Sequence, residues 1–316
     1  MKRYQGIIHL IVFVFIVALV WDMQYNPFTV HDFQSGSFVE VVNAEDPLFK
    51  EIKNKSDQYK EEPTDAYIDR VWKKTPGRNG RKVNINKSYE LMKGSGNFDE
   101  KKLVFDQVNP ETSLEDLPAA PIYRGHPDKD MVAFLINVSW GTEHIPTILK
   151  TLKANEVKAT FFIEGKWAKE NVEYVKMIAE EGHSLGNHAY NHPDMAHLNN
   201  EEIEKQIVQT NEIIKAITGE TPKWFAPPSG SFTDQVVKVA HEHQMQTILW
   251  TVDTIDWKKP SVSVMMNRVM NKVHPGATIL MHPTPPVAQG MDQMIKEILR
   301  KGYKIGTIDK LLSEER

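Results

Sequence analysis

The sequence contains no cysteine. Disulfide bonds and thiolate metal sites are therefore excluded, and a chain without thiols is compatible with the oxidising side of a membrane. An excess of positive charge is also missing, because 38 Lys and Arg against 42 Asp and Glu leave a net charge of −4. Without a basic block or an RNA-binding aromatic motif, the electrostatic footprint of a nucleic-acid-binding protein is absent. We expect no nucleic-acid partner.

Long apolar runs are scarce, and the one that stands out lies near the N-terminus. It extends from Ile7 to Trp21, with one histidine inside it, and follows Lys2 and Arg3. As a helix it would measure roughly 22 Å, which is less than the ~30 Å hydrocarbon core of a bilayer. A positive start followed by a short apolar segment is typical of a secretory signal or a signal anchor. Because no convincing small-x-small cleavage site follows, the pattern of residues 1–22 favours an uncleaved hydrophobic helix. We therefore expect an extracytoplasmic protein that is membrane-anchored or secreted to the cell wall.

The remaining composition is that of a globular protein, with 41% hydrophobic and 25% charged residues. Residues 23–44 are polar and without sustained periodicity, which indicates a linker. Residues 45–109 alternate short apolar and polar stretches around turn-forming residues, which predicts a small α+β domain of unknown role. Residues 110–130 carry Pro and Asp and indicate a second linker or a wrapping arm. From 131 to 316 the pattern becomes regular.

Strands and helices alternate about seven times over this last region. Met131–Val138 is a fully apolar strand, Ala159–Ile163 is another, and an Asn199 cap opens a helix that Gly219 should end. We read Gln246–Val252 as one further strand. Such alternation predicts a parallel sheet, and the number of repeats favours a distorted (β/α) barrel of about seven strands over an open doubly wound sheet.

Several chemically versatile side chains directly follow the predicted strands. His188 and His192 lie four residues apart in a polar segment bounded by Gly and Pro, and His282 follows a later apolar strand. Imidazole is a common zinc ligand, so the first two could hold one metal ion if the backbone turns between them. The alternative is a pair of surface or capping histidines. In a barrel all three would lie at the same edge.

Residues 131–312 resemble the polysaccharide deacetylase domain, also called the NodB-homology or carbohydrate esterase family 4 domain. They are most similar to the sporulation-associated polysaccharide deacetylase-like proteins of spore-forming bacilli. The resemblance rests on five segments that occur in the family's order. These are Lys158–Phe162, Gly182–His188, Ala226–Gly230, Asp256–Trp257 and Leu280–His282.

The resemblance implies hydrolysis of the acetamide of N-acetylated sugars with a divalent metal, usually zinc, and an N-acetylated cell-wall glycan as the partner. It implies that His188 and His192 are metal ligands. It also implies that His282 is the general acid and that Asp256 orients a charged partner. Trp257 and Leu280 would form the walls around the acetyl methyl. The remaining substrate contacts would come from the third motif, with Pro227, Pro228, Ser229 and Gly230.

Two of the family's motifs are altered at charged positions. The family places two adjacent Asp residues at the end of the first strand, one the catalytic base and one a metal ligand. Here Asn137 occupies the base position, and Val138 or Ser139 the ligand position. An amide is not a useful proton acceptor and a valine cannot bind a metal. The Arg of the third motif is replaced by Ala226, which leaves Asp256 without its expected cation.

These replacements leave two hypotheses open. In the first, the protein is a hydrolase with a weakened site: Asp194 or Ser139 substitutes for the lost ligand, and the base is Glu143, Asp253 or the metal alone. In the second, it is a catalytically silent glycan-binding or scaffolding protein. The resemblance implies a divalent metal, usually zinc, and with only two protein ligands we expect weak binding; imidazole and oxygen ligands suit several divalent ions.

Overall fold

The computed structural model describes residues 46–316. The hydrophobic helix expected over residues 1–22 and the linker over 23–44 lie outside the described residues and stay predictions. Within residues 46–316, no helix combines the length and the apolar character needed to cross a bilayer.

The described chain divides by its internal contacts into two compact units. The smaller contains residues 46–58 and 83–104, and the larger contains residues 59–82 and 105–316. The region 45–109, expected to be one small domain, is therefore shared between the two units. Its separate role stays a prediction.

The smaller unit is built on two amphipathic helices. Helix α1 (Pro47–Ser56) begins after Asp46, whose Oδ1 accepts the Leu48 N–H at 2.8 Å. Helix α2 (Ile85–Met92) brings the Tyr89 ring edge-on to Phe49, with centroids 5.7 Å apart. The Tyr89 hydroxyl donates to Asp46 Oδ2 at 2.9 Å. One aspartate thus caps one helix and binds the other.

The larger unit starts with two short two-stranded sheets. Strand β1 (Tyr67–Asp69) is antiparallel to β2 (Lys73–Thr75), and β3 (Gly80–Val83) pairs with β4 (Phe105–Val108). Lys74 on β2 is fully buried, and its Nζ donates to the Leu117 carbonyl and to Gln246 Oε1 at 3.1 and 3.0 Å. Burial lowers the pKa of Lys74.

The predicted barrel follows. Its elements, in chain order, are β5 (Met131–Val138), α3 (Ile145–Ala154), β6 (Thr160–Ile163), α4 (Gly165–Glu170), α5 (Val172–Glu180), β7 (Ser184–Asn187), α6 (Asn200–Thr218), β8 (Trp224–Phe225), α7 (Asp234–Glu242), β9 (Gln246–Thr247), β10 (Val252–Asp253), α8 (Val262–Met270), β11 (Thr278–Met281), α9 (Pro285–Arg300), β12 (Lys304–Gly306) and α10 (Ile308–Leu312).

These strands form one parallel sheet that is curled into an incomplete barrel. The strand order is β10-β11-β5-β6-β7-β8-β9, with β12 also paired to β5. Seven strands along this path confirm the expected barrel of about seven strands. The single strand expected over residues 246–252 is wrong, because the segment forms β9 and β10 at opposite ends of the path. Only four residues separate these two strands, so the two ends of the sheet lie close together and the sheet curls.

The alternation of strand β5 divides the core into two layers. Val132, Phe134, Ile136 and Val138 pack on the side of the helices, whereas Ala133 and Leu135 face the barrel interior. This period of two is the ordinary strand alternation. Asn137 continues the interior series at the carboxyl end of the strand. The site is therefore to be sought at that end of the barrel interior.

Candidate functional site

Neighbouring strands of the sheet end in register at this edge. Ile136 of β5 pairs with Met281 of β11, and Ile163 of β6 pairs with Asn187 of β7. Because the strands are parallel, the residues that follow them emerge side by side. They are Glu164, His188, Ala226 and His282, and Asn137 lies beside them as the last interior-facing residue of β5.

The two histidines of the 188–192 segment lie together. Their ring centroids are 5.2 Å apart. The turn between them, which the sequence required, is made by left-handed backbone at Ala189 (φ 60°) and at His192 itself (φ 57°). The His188 side chain is only 1% exposed, and its Nδ1 lies 2.7 Å from the Ala226 carbonyl oxygen.

This hydrogen bond fixes the tautomer of His188. A carbonyl oxygen only accepts, so Nδ1 carries the proton and Nε2 keeps its lone pair. Burial lowers the pKa of His188 to about 3, and desolvation also lowers the pKa of His192. Both rings are therefore neutral near pH 7, which is the form that binds metals.

His282 is held by a buried carboxylate. Its Nδ1 and its backbone N–H each donate to Asp256, at 3.1 Å. The hydroxyls of Thr254 and Thr284 donate to the same carboxylate at 2.6 and 2.8 Å. Burial acts to raise the pKa of Asp256, but the hydrogen bonds and the nearby imidazole outweigh it, so the pKa is lowered. The ionised carboxylate orients His282, whose Nε2 has no hydrogen bond to the described residues. The sequence left Asp256 without a charged partner, and the structure shows that this imidazole is its partner.

All three imidazoles lie at the carboxyl ends of strands of the same sheet, and burial is the main cause of the lowered pKa of His188 and of His192. The proximity of His282 lowers the pKa of both His188 and His192. The His188 and His192 imidazoles and the His282–Asp256 pair lie at one edge of the sheet, an arrangement that resembles an amide-hydrolysing site.

A family model described as polysaccharide deacetylase matches residues 124–248. The uncharacterised protein YlxY of Bacillus subtilis is 48% identical over 315 residues, which cover 99% of each chain. The peptidoglycan-N-acetylglucosamine deacetylase of Bacillus cereus is 36% identical over 201 residues, or 61% of this chain and 73% of that one. The chain belongs to the polysaccharide deacetylase family.

A solved structure places the chain further within this family. BA3943 of Bacillus anthracis, described as a CE4 family pseudoenzyme, superposes with a TM-score of 0.81 and 52% sequence identity, covering 85% of this chain and 96% of that one. A mutant of BA3943 is described as having restored enzymatic activity. This chain, with its family fold and its altered first motif, is thus similar to a protein that is described as a pseudoenzyme.

The metal-binding donors expected from the family are incomplete. Within residues 46–316, no group of three His, Cys, Asp or Glu side chains is placed to hold a metal ion. A catalytic zinc usually takes three protein ligands, and His188 with His192 supply two imidazoles. The residues present therefore do not fit a catalytic metal centre.

The reason lies at the end of strand β5. Asn137 is 4% exposed, and its Oδ1 has no hydrogen-bond partner among the described residues. Val138 packs in the apolar layer against the helices, and Ser139 follows the strand in a bend, with its hydroxyl near Glu164. Neither side of this strand end presents a carboxylate.

The carboxylates that sequence offered as substitutes are occupied or remote. Asp194 accepts from the Ser231 hydroxyl and contacts His197, its Oδ2 2.9 Å from Nδ1. The Glu143 side chain is exposed, and Asp253 Oδ1 accepts the Ile255 N–H at 2.8 Å. None of the three takes the place of the lost aspartates in this arrangement.

The expected substrate contacts contribute unequally. Leu280 is buried, while Trp257 is half exposed with Lys258 Nζ 4.9 Å from its ring centroid. In the third motif, Pro227 and Pro228 are buried, and the exposed Ser229 follows in left-handed backbone (φ 55°) before Gly230. This turn positions the Ala226 carbonyl that binds His188. Their role in binding a sugar stays a prediction.

Sequence reasoning missed two residues at this edge. Glu164 follows β6 and is buried; burial raises its pKa, and the nearby Ser139 hydroxyl acts in the opposite direction. Trp140 follows β5 and stacks on His282, with centroids 5.8 Å apart and planes 10° apart. The signal for both was present, since Glu164 directly follows one predicted apolar strand and Trp140 lies two residues after another.

Proposed function

We propose that this protein binds the N-acetylated glycan of cell-wall peptidoglycan in the crevice of the three imidazoles, and that it hydrolyses the acetamide poorly or not at all. One observation carries the proposal. Asn137, the amide that the resemblance assigns to the family's base position, is buried with its Oδ1 unpaired among the described residues, while the His282–Asp256 pair is formed.

The acid half of the chemistry is retained. Asp256 holds the Nδ1 proton of His282, so that Nε2 is free to take a proton and pass it to a leaving amine. The base half is missing, because a carboxamide cannot accept the proton of the attacking water. General base catalysis typically contributes about 10²–10⁴-fold, so turnover should fall by at least that factor.

Metal chemistry is weakened in the same way. Two imidazoles without a third ligand are expected to bind zinc weakly, with water in the remaining positions. No step of the reaction is assigned to a metal here, because the ligand set is incomplete.

The glycan and the location are supported by similarity and by the N-terminus. A relative 36% identical is a peptidoglycan-N-acetylglucosamine deacetylase, which makes the same polymer the first candidate. The apolar segment after Lys2 and Arg3 supports a signal anchor and a place outside the cytoplasmic membrane. The resemblance to sporulation-associated proteins adds a role in spore-forming cells.

The test compares binding and turnover on N-acetylglucosamine oligomers and on purified peptidoglycan. We expect the natural protein to bind both and to release little or no acetate. Asn137→Asp with Val138→Asp, which rebuilds the family's adjacent pair, should release acetate and bind zinc more tightly. Because Val138 lies in the apolar core, Asn137→Asp with Ser139→Asp is a second arm, and Asn137→Ala with Val138→Ala is the matched control.

Each result decides between the two hypotheses. Full turnover by the natural protein that survives Asn137→Ala would contradict the account of the base position. Absence of glycan binding by the natural protein would overturn the proposed function. If folded double variants bind the oligomers but release no acetate, the defect is not the missing carboxylates.

A further inference from the structure

Trp140 is an unusual residue for the mouth of this crevice. Its side chain is 44% exposed, whereas an indole of this size usually buries most of its surface. It lies at the carboxyl end of β5, three residues beyond Asn137, in the bend that leads into helix α3.

The indole rests on a rigid support. One face is parallel to the His282 ring, and His282 is in turn fixed by Asp256, which is fully buried and accepts four hydrogen bonds. The opposite face and the edges account for the exposed surface. A flat apolar surface is therefore exposed to solvent beside the His282 ring.

The backbone after Trp140 is also fixed. Gly141 is in left-handed backbone (φ 77°), and a Cβ there would lie 2.0 Å from the Pro283 carbonyl oxygen. The bend is thus in close contact with the segment that follows β11. One residue further, the Thr142 hydroxyl accepts the Trp167 indole N–H at 2.9 Å. The indole is held in place before any ligand arrives, which limits the entropy lost on binding.

We propose that Trp140 is the stacking surface for a pyranose ring of the bound N-acetylated amino sugar. The apolar C–H face of a pyranose matches the exposed face of an indole in size and polarity. This contact needs neither a metal nor a base, so it explains how the site binds a glycan after losing its carboxylates. The inference rests on the proposed glycan-binding function.

The test measures binding of a β-1,4-linked N-acetylglucosamine tetramer by calorimetry and by tryptophan fluorescence. Trp140→Ala should weaken binding about tenfold, a typical loss for an aromatic anchor. Trp140→Phe should recover much of the affinity and reduce the ligand-induced change in tryptophan emission, the remainder coming from Trp257, which is half exposed. Tyr67→Ala, which removes an exposed aromatic ring outside the crevice, is the matched control and should bind as the natural protein does.

Unfolding midpoints of all variants show whether a loss of binding reflects a loss of fold. If the natural protein binds the tetramer and folded Trp140→Ala binds it equally well, the stacking role is refuted and the proposed function survives. If the natural protein binds neither the tetramer nor peptidoglycan, the proposed function itself fails. A ligand-induced fluorescence change of the same size in Trp140→Phe with Trp257→Phe as in Trp257→Phe alone would also contradict the stacking role.

Discussion

His183 gives the sharpest quantitative prediction, since its ring is buried and structural. The side chain is 7% exposed, and its Nδ1 accepts the Ala159 N–H at 3.1 Å. Its ring meets Phe161 edge-on at 5.2 Å between centroids. Burial lowers the pKa of His183 to about 4, with Lys158 adding to the effect and Glu181 opposing it.

The sign follows from proton binding in the two states. Between pH 4 and about 6.5, the unfolded chain binds a proton at this imidazole and the folded chain does not, so stability falls as the pH is lowered through this range. Each pKa unit corresponds to about 1.36 kcal/mol. The whole range therefore amounts to about 3 kcal/mol, of which about 2 kcal/mol is lost between pH 7 and pH 5.

The assay is urea unfolding of the natural protein and of His183→Asn at pH 7 and pH 5. Asn offers an oxygen to the Ala159 N–H but does not titrate. The free energy of unfolding of the natural protein should fall by about 2 kcal/mol more than that of the variant between the two pH values. Other histidines titrate in both proteins and cancel in this comparison. Equal falls in both proteins would refute the reasoning.

Two further substitutions test the support of the site. Asp256→Ala removes the acceptor of four buried hydrogen bonds and should lower the free energy of unfolding by about 3 kcal/mol. Asp256→Asn should lower it by less. Thermal unfolding measures both variants, and a change below ~1 kcal/mol for Asp256→Ala would contradict the assigned network. Gly141→Ala should destabilise by more than about 2 kcal/mol, because its Cβ would collide with the Pro283 carbonyl. Gly219→Ala is the control, because Gly219 ends helix α6 in left-handed backbone with open space around it. This substitution should lower the free energy of unfolding by only about 1 kcal/mol. Equal losses of stability at the two glycines would rule out the collision.

Much of the barrel was predictable because its signals are local. The apolar run of β5 and the Asn199 and Gly219 ends of helix α6 agree with the structure to within a residue. Amphipathic periodicity and capping act over a few residues, so a sequence contains them directly. The split of residues 246–252 into β9 and β10 was not predictable from such patterns, because it results from the curling of the whole sheet.

The candidate site was predictable in composition but not in its contacts. The HxxxH spacing and the resemblance pointed to His188 and His192, and the structure brings their rings together. The sequence predicted no partner for Asp256, because the family's partner is an Arg and this chain has Ala226 at that position. That His282 fills this role depends on strands β10 and β11 lying side by side.

Sequence alone determined that this protein has no thiols and no net positive charge, and by resemblance it predicted an amide at the position of the family's catalytic base. These are properties of residue identity and need no fold to state. The tertiary structure alone decided which side chains meet, namely the burial of Glu164, the stacking of Trp140 on His282 and the pairing of His282 with Asp256. Such contacts depend on strand register and sheet curvature, which join residues more than a hundred positions apart and leave no local pattern in the sequence.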